Sequence, residues 1–139
     1  MRKVLRSGGG FEDAAAYSRA VRTGNRIVTS GTAPLDERGM TMHPGDVEAQ
    51  TRAAIGMAVA AVEGLGGAAT DVTRSRVYLA AGADWRGMVA AHRDAFTGIN
   101  PANTTVYVHA LIPAGALVEV ELEAELDDHS DECVEPRDA

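Results

Sequence analysis

From Val118 to Leu126 the chain alternates strictly, with Val118, Val120, Leu122, Ala124 and Leu126 apolar and Glu119, Glu121, Glu123 and Glu125 between them. A two-residue period puts the apolar set on one face of a β-strand and the carboxylates on the other. Just before it, "TTVYVHALI" (104–112) has strand composition and "PAGA" (113–116) reads as a turn. A hairpin pairing 103–110 with 117–126 is therefore expected. Near the start, "YSRAVRTGNRIVTSG" reads as two short strands around Thr23-Gly24-Asn25, and "DVTRSRVYLA" as a strand rich in β-branched residues.

Two segments change to helical spacing. Asp46 is a candidate N-cap, after which Val47, Thr51, Ala54, Ile55, Ala58, Val62 and Leu65 recur on one face until Gly66-Gly67 stop the run. Asp84 caps a second helix whose stripe is Trp85, Met88, Val89, His92 and Phe96, ended by "GINPAN". "DERGMTMHPGD" between strand and helix is a polar loop, and the Gly-rich start reads as irregular. The order β-β-α-β-α-β-β implies an α+β fold: a mixed sheet of about six strands with both helices packed on one face. The Glu row then lies on the uncovered face, where solvation and assembly compete. Glu121, Glu123 and Glu125 read as structural on that face, answered by Arg74 and Arg76.

At 139 residues the chain suits one domain, residues 1–127, followed by an acidic tail over 128–139 that is expected to be disordered. The stretch from Asp127 to Ala139 holds six acids and one Arg, so most of the net charge of -7 belongs to it. The rest, with 12 basic and 14 acidic residues, lacks the basic footprint of a nucleic-acid binder. A single cysteine, Cys133, excludes an intrachain disulfide and points to a reducing compartment. "MRKVLRSGGG" has no apolar run behind its basic residues, and no segment approaches the ~18 apolar residues of a membrane span. The expectation is a cytoplasmic protein with no membrane partner.

The order and spacing of "AYSRAVRTGNRIVTSG", "GDVEAQTRAAI", "PANTTVYV" and "ALVEVELEA" resemble the Rid family, the reactive intermediate deaminases also called YjgF-type or L-PSP endoribonuclease-like. The resemblance spans about residues 11 to 126. It implies a chorismate-mutase-like fold assembled as a homotrimer, with a small-molecule cavity at each subunit interface. It further implies hydrolysis of the enamines and imines released by pyridoxal-phosphate enzymes to keto acids and ammonia, with no cofactor and no metal. Tyr17, Ser30, Gly31 and Glu119 match residues that line the cavity. The family pattern carries a carboxylate-binding Arg as the third residue of "PAR-S/T", where this chain has Asn103 in "PANTT". Asn is neutral and shorter, so it can hydrogen-bond a carboxylate or carbonyl without supplying charge. The chain thus resembles an Arg-less branch of the family.

The candidate site is accordingly Glu119 and Tyr17 as catalytic groups, with Ser30, Gly31, Asn103 and Thr105 binding substrate. For Glu119 an interface salt bridge and a water-holding role stand side by side. Ser30-Gly31 reads either as an oxyanion site, offering a hydroxyl and a backbone N–H, or as a bare strand-to-turn junction. In the expected hairpin, Asn103, Thr105, Tyr107 and His109 share the uncovered face, and Glu119 lies roughly 15–20 Å from Asn103. Two subunits would then have to build one site. His92 reads as a packed, hydrogen-bonded histidine, and no spacing resembles a zinc site. Two functions follow: a deaminase-like hydrolase, or a metabolite-binding protein that keeps the cavity without catalysis. The near-neutral body disfavours a third, an endoribonuclease.

Overall fold

The computed structural model describes residues 1–127, so the expectation for the tail lies outside the described residues. Strands β1 (Arg2–Leu5), β2 (Ala20–Thr23), β3 (Arg26–Thr29), β4 (Val72–Ala80), β5 (Ala102–Val108) and β6 (Val118–Glu125) form one sheet in the order β1-β2-β3-β6-β4-β5. Helices α1 (Gly10–Ala15), α2 (Val47–Gly64) and α3 (Trp85–Phe96) complete the α+β architecture. Strand β1 and helix α1 occupy the stretch read as irregular. Both are short, and β1 exists through its pairing with β2, from Arg2↔Thr23 to Leu5↔Ala20.

The expected hairpin does not form. Strand β6 lies between β3 and β4, antiparallel to both, and β5 runs parallel to β4 on its far side, with Ser75↔Asn103 and Val77↔Thr105 in register. The reason is burial. Val118, Val120, Leu122 and Ala124 are all within about 1% of full burial, and only a central strand under the helices gives them that. Strand β5, largely exposed, takes the edge.

Helix α2 starts where expected: the Asp46 carboxylate accepts the Ala49 N–H at 3.0 Å, a cap that contributes ~1 kcal/mol. Its seven-residue apolar stripe is buried throughout, against Ile27, Val77, Leu79 and Leu122 in the core. Each large side chain there contributes roughly 1.5–3 kcal/mol by leaving water. Helices α2 and α3 meet closely at Gly87, where a Cβ would stand 3.2 Å from the Glu48 backbone nitrogen. Gln50, fully buried, ties the last loop to α2 by donating to the His43 and Gly115 carbonyls and accepting from Leu117 N–H at 2.8 Å.

The opposite face carries an ion ladder. Arg74 meets Glu123 at 3.5 Å, and Arg76 meets Glu123 at 3.5 Å and Glu121 at 3.9 Å. Tyr78 donates its hydroxyl to Glu121 at 2.5 Å. These contacts answer Glu121 and Glu123 as expected and leave Glu119, one step further along, without a cation in ion-pair range among the described residues.

Candidate functional site

Glu119 stands opposite Tyr78 on the helix-free face, and its side chain lies over Gly31. The absence of a Cβ at Gly31 makes room for it: one there would collide with Oε1. The carboxyl makes no hydrogen bond to any described residue, so its oxygens are open to a ligand or water. Burial pushes its pKa above the ordinary carboxylate value. The Arg19 guanidinium pulls it down, and Glu121 pushes it up again. A carboxyl poised in this way is chemically able to act as a general acid and, after giving up its proton, as a base.

Tyr17, the second catalytic candidate, follows α1 and is exposed, with its backbone N–H on the Glu12 carbonyl. Arg19 lies over its ring, 5.8 Å from the centroid, and donates from Nη2 to the Gly31 carbonyl at 2.6 Å. The Arg19 Nε is buried without a hydrogen-bond partner among the described residues. Arg19 therefore links Tyr17, Gly31 and Glu119 into one cluster, and sequence reasoning did not single it out. The signal was present in "YSRAV", where the two-residue period sets Arg19 on the same side as Tyr17 and Val21.

Glu12 supports that cluster from below. It is buried and accepts from the Ser7 N–H at 3.0 Å and from the Ser7 hydroxyl. Burial raises its pKa, but the Ser7 hydrogen bonds and the Arg19 charge outweigh it and hold the group below the ordinary value. Ser30 sits at the strand-to-turn junction, one of the two readings its sequence position allows. Its hydroxyl donates to the Ser18 carbonyl at 2.6 Å and its N–H to the Arg19 carbonyl at 2.9 Å. Both of its donors join the residues just before β2 to the end of β3, and Ser30 thereby shapes the hollow beside Gly31.

Asn103 and Thr105 are not with Glu119. The parallel register puts Asn103, Thr105 and Tyr107 level with Ser75, Val77 and Leu79, on the helix side of the sheet, and not on the uncovered face expected of a hairpin. His109 lies beyond the end of β5. The three line a cleft of about 350 Å³ between α3 and β5, together with Trp85, Met88 and Val89. Trp85 and Val89 belong to the expected apolar stripe but are 46% and 40% exposed, because the edge strand does not reach over them. From the register, Glu119 and Asn103 are ~10 Å apart along the strands and ~10 Å across them, with the sheet between. A single subunit does not bring the two halves of the candidate site together.

His92 behaves as expected, packed and hydrogen-bonded. Its Nε2 lies 2.7 Å from Ser75 Oγ, its ring 4.8 Å from that of Phe96, and burial holds its pKa below the ordinary value. Among the described residues there is no cluster of His, Cys, Asp or Glu able to hold a metal ion, and no helix long and apolar enough to cross a membrane.

The sequence matches the family model described as Endoribonuclease L-PSP over residues 10–126. It is 34% identical over 120 residues to an uncharacterized protein of Streptomyces coelicolor, covering 86% of this chain and 89% of that one. It is 32% identical over 106 residues to the 3-aminoacrylate deaminase RutC of Acinetobacter baylyi, covering 76% of this chain and 83% of that protein. The fold superposes with a TM-score of 0.81 and 37% identity on the crystal structure of a Mycobacterium tuberculosis member of the YjgF/YER057c/UK114 family. That match covers 91% of this chain and all of the other. A match along nearly the whole sheet and both long helices, with relatives at this identity, places the chain in the YjgF/Rid family of L-PSP endoribonuclease-like proteins.

Proposed function

We propose that this protein is a homotrimer of chorismate-mutase-like arrangement that hydrolyses the C=N bond of a small reactive enamine or imine in a cavity shared by two subunits. The observation that carries the reading is the half-buried, unbonded carboxyl of Glu119 in the hollow left by Gly31. The division of the candidate residues between two sheet faces supports a site completed by a second copy. The name of the Acinetobacter relative adds that 3-aminoacrylate, an enamine, is a substrate class within the family.

The chemistry needs no more than these groups. An enamine that takes a proton from Glu119 at carbon becomes the iminium ion, and an imine reaches the same ion when Glu119 protonates its nitrogen. Water then adds to the carbon, and the carboxylate takes a proton from that water. Return of that proton to nitrogen lets the carbinolamine expel ammonia as its hydroxyl proton passes back to the Glu119 carboxylate, which leaves the carbonyl product and the acid form of Glu119. Tyr17 and Arg19 border the same hollow and orient the polar end of the substrate.

The test is ammonia release from imines generated in place by an amino-acid oxidase, with the full-length protein present at catalytic concentration. Faster release than in buffer is the expected result. Binding without acceleration would favour the metabolite-binding reading, and RNA cleavage in metal-free buffer would revive the endoribonuclease. Light scattering is expected to give a trimer at micromolar concentration. Glu121→Lys should shift that trimer toward monomer, because it sets a second cation against Arg76 and removes the acceptor of Tyr78. An unchanged mass would mean that this face is solvated.

A further inference from the structure

The side chain of Asn103 is held at one end. Its Nδ2 points inward, donating to Ser75 Oγ at 3.0 Å and reaching the Ser75 carbonyl oxygen at 3.4 Å. Its Oδ1 accepts from the Thr105 hydroxyl at 2.9 Å and keeps a second lone pair free. The reverse orientation would set the carboxamide oxygen against the Ser75 carbonyl oxygen, two acceptors face to face. The chain of contacts continues inward: Ser75 is fully buried, and its Oγ lies 2.7 Å from His92 Nε2. A hydroxyl that accepts from Asn103 is free to give its own proton to His92 Nε2, and in that arrangement the imidazole carries its proton on Nδ1. Burial favours this neutral ring. Asn103 itself stays exposed at the mouth of the cleft between α3 and β5.

We propose that His92 and Ser75 act as positioning residues that turn the carbonyl oxygen of Asn103 toward the cleft, so that residue 103 selects an uncharged N–H or O–H donor on the ligand and disfavours a carboxylate. The proposal rests on the shared-cavity reading above. It assigns to this half of the cavity a neutral group such as a carboxamide, amine or hydroxyl, with the apolar walls of Trp85, Met88 and Val89 beside it. A carboxylate oxygen placed there would face the free lone pair of Oδ1 with no donor between them.

The probes are pyruvamide and pyruvate, a pair equal in size that differ by an NH2 in place of a carboxylate oxygen. Both are titrated into isotope-labelled full-length protein, and the Asn103 side-chain amide and the Gly31 and Glu119 backbone amides are followed by NMR. Asn103→Ala is expected to weaken pyruvamide about three- to tenfold, the worth of one hydrogen bond, and to leave pyruvate unweakened. A loss for pyruvate equal to or greater than that for pyruvamide overturns the proposal. The His92 ring nitrogens give a second readout that needs no ligand: Nε2 is expected unprotonated, and an Nε2–H tautomer overturns the positioning part given to His92. If pyruvamide shifts Asn103 but not Gly31 or Glu119, donor selection stands while the shared-cavity reading falls. If neither probe shifts Asn103 at millimolar concentration, the proposal falls whatever happens at Glu119.

Discussion

Glu119→Gln is expected to lower imine hydrolysis by about 10²–10⁴-fold, the usual contribution of a positioned proton-transfer group. Gln keeps the shape and hydrogen-bonding ends of the side chain but neither gives nor takes the proton. Fitting over Gly31 is preserved, so substrate affinity should change far less than turnover. The wild-type rate should fall as pH rises through the elevated pKa of Glu119, since the acid form is consumed there. Stability follows the same sign. A carboxyl whose pKa is raised on folding contributes fully below its unfolded value, and that contribution is lost as pH rises through the folded value. The variant escapes this loss, so its melting temperature at neutral pH should equal or exceed that of the wild type. Steady-state kinetics from pH 5 to 9 and a melting curve on each protein check both statements. A variant that retains full turnover would remove Glu119 from the chemistry.

Gly31→Ala is expected to cost about 10²-fold in turnover with little change in stability. The added methyl occupies the hollow that holds Glu119 Oε1, and the flexible end of that side chain is what must give way. Moving it by about an ångström is cheap for the fold. It is expensive for catalysis, which depends on the approach of the carboxyl to the reacting atoms. The signature separates it from a core lesion: melting temperature within a few degrees of wild type, trimer intact, activity low. A large fall in melting temperature would mean that the backbone at Gly31 had moved instead.

Much of this molecule was legible in local pattern. Both helix caps, the stripe from Val47 to Leu65, the strands around Gly24 and the burial of alternate residues in β6 follow from periodicities of 3.6 and 2 and from short-range capping. Family resemblance singled out Tyr17, Gly31 and Glu119, of which Gly31 and Glu119 meet in the fold, and pairing of the Glu row with Arg74 and Arg76 followed from charge. Arg19 and Glu12 escaped notice because their importance lies in burial and in partners distant along the chain. Nothing in "SGGGFED" marks Glu12 as an acid held by Ser7 beneath the site.

Strand partnership was decided by tertiary structure alone. Residues 102–108 and 118–125 are near neighbours in sequence and carry turn residues between them, so local pattern favours a hairpin. The sheet instead places β6 at its centre, where both its neighbours and the helices cover its apolar face, and sends β5 to the edge beyond β4. That choice sets which side of the sheet Asn103 and Thr105 face, and with it whether they share a subunit's site with Glu119. Alternation determines that residues 103, 105 and 107 lie together. It does not determine on which face, because a strand shifted by one residue or paired with another neighbour exchanges the two faces, and only the burial available to the whole chain selects between them.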